Sequence, residues 1–157
     1  MTSASVNDIR KELLHLDSET LQALCLRLVK YKKENKELLG YLLFEAHDEA
    51  AYIEQVKEET DVQFKELSNR NLYLTKKILR KILRFVNKQI KYSGIPQTEL
   101  ELRIYFCKKI HAQKIPLDTG TQLYNLYQQQ LKKINTVLEK LPEDEQGDYT
   151  RAIETIS

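Results

Sequence analysis

The stretch Arg70-Asn-Leu-Tyr-Leu-Thr-Lys-Lys-Ile-Leu-Arg-Lys-Ile-Leu-Arg-Phe-Val-Asn-Lys-Gln-Ile-Lys91 decides the fold class. Its apolar residues recur at spacings of three and four, the period of an α helix and not of a strand. At 100° per residue, Arg70, Lys77, Lys81, Arg84, Lys88 and Lys91 fall within an arc of roughly 80°. Lys76 and Arg80 lie just beside that arc, and Leu72, Ile78, Leu79, Ile82, Leu83, Phe85, Val86 and Ile90 occupy the opposite one. The stretch holds eight bases and no acid. It therefore predicts an amphipathic helix with one cationic face and one core face.

The same period extends outward in both directions. From Tyr41 to Ser93 there are 53 residues without a Gly or Pro. β-Branched alternation over several residues is absent, so no strand is predicted. Gly40, Gly94, Pro96, Pro116, Gly120, Pro142 and Gly147 punctuate the chain. The expected fold is all-α: a multi-helix bundle or short stack of antiparallel helical hairpins with seven to eight helices. A first helix over about 6–14 is followed by a second that Asp17 or Ser18 caps. A third carries Leu38, Leu39, Leu42, Leu43 and Phe44. Two more cover about 48–67 and 69–92, as one helix or as two with a break near Ser68. Ser93-Gly-Ile-Pro96 stops the fifth segment. Thr98-x-x-Glu101 and Thr119-x-x-Gln122 read as capping boxes for the sixth and seventh. Pro142 at the first helical position and Glu143, Asp144 and Glu145 in the first turn suit a last helix, which Gly147 delays to near Gln146.

The 157 residues fit a single domain, 1–157, whose first few residues are expected to be disordered. With four Gly, three Pro and two Cys, collagen-like, low-complexity and disulfide-scaffold classes are excluded. No run of about 20 apolar residues occurs, so no membrane span is expected. The opening residues lack a basic region followed by an apolar stretch, and the expected location is cytoplasmic. Cys25 and Cys107 read as reduced, buried thiols.

The net charge of +2 hides an asymmetry. Glu45 to Glu66 holds eight acids and two lysines, a net −6, directly before the +8 of the basic stretch. If the two segments fold back through their apolar stripes, the stripe of Ala46, Ala50, Ile53, Thr60, Phe64 and Leu67 faces the core. The basic face then points away from it, and part of that face stays unpaired. Arg70, Lys77, Lys81, Arg84, Lys88 and Lys91 are the candidate site for an anionic partner. The alternative is a solvated, structural face.

No Gly-rich phosphate loop, G-x-S-x-G or Cys-His signature is present. Glu12-Leu-Leu-His15 is one E-x-x-H, where a di-iron bundle needs two plus two further glutamates. No metal, cofactor, catalytic residue or small-molecule substrate is indicated, which points away from an enzyme. The nine tyrosines suit half-buried positions, and some suit an interface.

Asp8-Ile-Arg-Lys-Glu-Leu-Leu-His-Leu-Asp-Ser-Glu-Thr-Leu21 and Leu28-Val-Lys-Tyr-Lys-Lys-Glu-Asn-Lys-Glu-Leu-Leu39 resemble a family of small bacterial all-helical proteins of unknown function. The resemblance implies an all-helical fold and carries no activity, ligand or site residue. The expected function is non-enzymatic macromolecular interaction, with a protein partner or a second copy as homo-oligomer. The alternative is nucleic-acid binding through the basic face.

Overall fold

The computed structural model describes residues 1–67 and 71–157. The described residues contain eight α helices and no strand: α1 (Val6–Leu13), α2 (Ser18–Tyr31), α3 (Lys33–Gly40), α4 (Glu49–Phe64), α5 (Leu72–Ser93), α6 (Pro96–Ala112), α7 (Gln122–Lys140) and α8 (Glu143–Ile156). The all-helical expectation holds. A π-helical turn, Tyr41–Glu45, follows α3. Where the sequence reads as one domain, contacts group the chain into two compact units, Met1–Phe44 and Glu45–Ser157.

The first unit is built of short, well-capped helices. The Ser5 hydroxyl accepts from the Asp8 N–H, and the Asp8 carboxylate accepts from the Ser5 N–H, a reciprocal capping box. The Asp17 carboxylate accepts from the Thr20 N–H to start α2. α2 packs on α3, and the Asn35 side-chain amide donates to the Leu28 carbonyl at 2.8 Å. None of α1, α2 and α3 buries a residue. Cys25, expected inside, is therefore exposed: its helix has no core to enter.

The second unit is organised around α6, which packs against α4, α5, α7 and α8. Leu100, Leu102, Ile104, Phe106, Cys107 and Ile110 are buried on it. With Thr98 and Arg103 they spread over roughly 240° of the helix circumference, as expected of a helix with neighbours on several sides, and Lys108 and Ala112 are exposed on the remainder. The Phe64 and Phe106 rings meet at 5.9 Å in a tilted pair. α5 contributes Leu79, Ile82, Val86 and Ile90, α7 contributes Leu123, Tyr127 and Ile134, and α8 contributes Ile153 and Ile156.

Several expected boundaries move. α4 and α5 are two helices in contact, each with its own N-cap, Asp48 and Asn71. The presumed break itself, 68–70, lies outside the described residues. α6 begins at Pro96, two residues before the expected Thr98 cap. Pro at the first helical position is pre-set for a helix start, and Thr98 instead buries its hydroxyl against Glu49 at 3.0 Å. Thr121, not Thr119, caps α7 by accepting from the Tyr124 N–H. α8 starts at Glu143 with Pro142 as its N-cap, so Gly147 does not delay it. In α4 the buried face is Tyr52, Ile53, Val56, Thr60, Gln63 and Phe64. Ala46 and Ala50 are exposed because α4 starts only at Glu49 and turns its larger side chains to α5 and α6.

Candidate anion-facing surface and its buried arginine

α5 presents the cationic face that the sequence predicts. Thr75, Leu79, Ile82, Val86 and Ile90 are buried at helical spacing. Lys77, Arg80, Lys81, Arg84 and Lys91 are exposed, and Lys76 and Lys88 are half-buried. Arg70 lies outside the described residues. Leu72, assigned to the apolar arc, is exposed, as are Tyr73 and Leu74: the first turn of α5 lies beyond the core.

Partners on this face are sparse. Lys81 pairs with Glu66 at 3.7 Å, both side chains more than half exposed, an arrangement worth little in water. Arg80 donates to the Gln122 side-chain oxygen at 2.8 Å. Among the described residues, Lys76, Lys77, Arg84 and Lys91 make no ion pair with a carboxylate. The acids of α4 are largely used elsewhere. Asp61 accepts from the Tyr105 hydroxyl at 2.6 Å and pairs with Lys109 at 3.1 Å, both on α6. Glu49 accepts from the hydroxyls of Ser93 and Thr98. Glu54 shares Lys57 with Glu101. Burial works against ionised Asp61, yet the Tyr105 hydrogen bond and the Lys109 charge outweigh it and hold the carboxyl below its usual value. Tyr105 moves the opposite way, pushed up first by burial and then by Asp61.

The polar centre that sequence reading misses is Arg103, buried on α6 at 6% exposure. Its Nε donates to Glu99 at 2.7 Å. Its Nη1 donates to the side-chain oxygens of Asn87 and Gln130, both at 2.9 Å. This joins α5, α6 and α7 through one guanidinium. A buried charge is tolerated when it is paired and hydrogen-bonded. The legible signal is the Glu99–Arg103 spacing of i,i+4. Nothing local marks Asn87 and Gln130 as its other partners.

A second polar cluster anchors the C-terminal helix. The buried Tyr127 hydroxyl donates to the Ile156 carbonyl, and His111 Nε2 lies 2.6 Å from the Tyr127 hydroxyl oxygen. With its own proton directed at Ile156, the tyrosine oxygen accepts from His111. Tyr127 and Tyr52 are buried rather than half-buried, each with its hydroxyl hydrogen-bonded. Glu12 and His15 stand at the end of α1, and among the described residues no group of three His, Cys, Asp or Glu gathers as metal donors. No described helix is long and apolar enough to cross a membrane. No protein-family model, curated protein or solved structure matches the chain.

Proposed function

We propose that the protein acts by association, docking a second copy of itself through the apolar surface of α1, α2 and α3. One observation carries this reading. Within Met1–Phe44, Val6, Ile9, Leu13, Leu14, Leu24, Leu26, Leu28, Tyr31, Leu38, Leu42, Leu43 and Phe44 are all exposed, and the three helices bury no residue. Exposed apolar surface on that scale marks an interaction site.

The size of the unit supports a second copy as the occupant. Units of roughly 40 residues need metals, disulfides or oligomerisation to gain enough buried surface. This unit has one cysteine, Cys25, which is free. It carries seven bases and six acids, a net +1, so two copies do not repel each other. A self-complementary two-fold contact is the commonest way to cover such a face.

Light scattering across about a hundredfold range of concentration tests the reading through mass action. The mass should rise from one chain toward two. A variant carrying Leu28→Asp and Leu43→Asp, at positions 59% and 63% exposed, should stay monomeric with unchanged helical circular dichroism. A single-chain mass at every concentration overturns self-association.

A second reading rests on α5. Lys77, Arg84 and Lys91 are exposed cations without an ion pair among the described residues. A row of such groups along one helix suits the phosphates of a nucleic acid. Binding to mixed-sequence RNA and DNA at two salt concentrations tests it, and no binding at low salt removes it.

A further inference from the structure

Arg103 has more donor capacity than the protein uses. A guanidinium carries five N–H groups. Nε serves Glu99, and the two hydrogens of Nη1 serve Asn87 and Gln130. Nη2 has no hydrogen-bond partner among the described residues. Yet every sealed side-chain nitrogen and oxygen of the described residues has one. Nη2 is therefore not sealed, and Arg103 lines two grooves that open to solvent.

Two grooves meet at this residue. One, of about 440 Å³, runs past Asn87 and Lys91. The other, of about 450 Å³, runs past Lys132 and Thr136. Glu99, Arg103 and Lys133 line both. Each volume suits a small organic ligand. Lys91, Lys132 and Lys133 are exposed and make no ion pair among the described residues. With Arg103 they set four cations against the single carboxylate of Glu99. α6 also opens beside the first groove, at Ile95 and Pro96, without a side-chain cap. Its N-terminal dipole adds to the positive field.

We propose that this groove binds a small phosphate monoester. Arg103 Nη2 supplies charge-assisted hydrogen bonds from a position that the Glu99, Asn87 and Gln130 contacts hold rigid. Because Nη2 offers both hydrogens from one nitrogen, a second contact has to come from elsewhere, and Lys133, shared by both grooves, supplies it. Lys91 or Lys132 then faces the remaining charge. Either groove sets three cations against the one carboxylate, a net excess of two positive charges that matches a dianion better than a carboxylate. The site lies in the Glu45–Ser157 unit and is independent of the association surface on Met1–Phe44.

The test uses the full chain with phenyl phosphate and benzoate as probes, above about pH 7, where the phosphate is mostly dianionic. Nitrogen-15 spectra of the Arg103, Asn87 and Gln130 side chains read the binding. Phenyl phosphate should shift these signals saturably and bind more tightly than benzoate. Lys133→Glu, an exposed change that leaves the fold intact, should weaken binding about tenfold. Glu99→Gln keeps an acceptor for Nε but removes the opposing charge, so it should strengthen binding several-fold. A purely structural Arg103–Glu99 pair predicts no gain in that variant. No saturable shift, benzoate binding as tightly as phenyl phosphate, an unaffected Lys133→Glu or an unimproved Glu99→Gln each overturns the proposal.

Discussion

The Tyr105 hydroxyl donates to Asp61 Oδ1 at 2.6 Å, tying the acidic helix α4 to the central helix α6. The contact works in both directions: it holds a carboxylate ionised and gives a tyrosine hydroxyl its partner. Lys109 at 3.1 Å completes the cluster. Tyr105→Phe should therefore lower stability by about 1 kcal/mol, measured as a shift in urea midpoint at unchanged slope. An unchanged midpoint would show that the hydrogen bond adds nothing net.

The same carboxylate makes stability depend on pH. Asp61 sits below its ordinary 3.8 in the folded chain, so the unfolded chain binds its proton more readily. Its contribution is fully present above that ordinary value and is lost as pH falls through the folded one. Asp61→Asn should flatten the acid limb of the stability profile below about pH 4. An identical acid limb in wild type and variant would refute this.

Phe106 is fully buried against Phe64 at the centre of the larger unit. Truncation there opens a cavity beside Phe64, on the helix that packs against α4, α5, α7 and α8. Phe106→Ala should cost about 3–5 kcal/mol, read by denaturant unfolding. A loss below about 1 kcal/mol would mean that the site collapses around the gap.

The two thiols should separate cleanly. Cys25 is exposed and Cys107 is buried, with burial pushing the Cys107 thiol up to about 12. A thiol reagent at neutral pH should titrate one equivalent in dilute native protein and two after unfolding. Two fast equivalents in the native state would contradict the placement of Cys107.

The two compact units should differ in autonomy. Among the described residues, 45–157 hold all but one of the buried apolar side chains, Tyr41 being the exception. That fragment should unfold in one cooperative transition, whereas residues 1–44 alone in dilute solution should show weak, non-cooperative helicity. Circular dichroism melts of both fragments decide this.

If α5 binds nucleic acid, its affinity should fall steeply with salt, and Lys77→Glu with Arg84→Glu should reduce both affinity and salt slope. Electrophoretic mobility shifts at two ionic strengths measure it. Equal binding by wild type and double variant would place any nucleic-acid contact elsewhere.

Much of this architecture is legible residue by residue. The 3–4 spacing of Leu79, Ile82, Val86 and Ile90 reads directly as the buried face of α5. Gly94, in the left-handed conformation at φ 67° that glycine adopts without strain, reads as its stop. The acidic segment directly before the basic one predicts that part of the basic face stays unpaired, without saying where the acids turn. In the structure, Asp61 turns to Tyr105 and Lys109, 44 and 48 positions along the chain. The central role of α6 was not legible, because its buried residues spread over too wide an arc to leave a single narrow apolar stripe to recognise.

By itself, the sequence determined the helices, the caps at Asp17 and Gly94 and the cationic face of α5. Those depend on neighbours within four positions, and local spacing records them. Only the tertiary structure decided that α6 is the axis and that α1, α2 and α3 bury nothing. It alone brought Arg103 together with Asn87 and Gln130, 16 and 27 positions away. Pairings at that distance are set by how whole helix faces fill space against one another, which no local window of sequence contains.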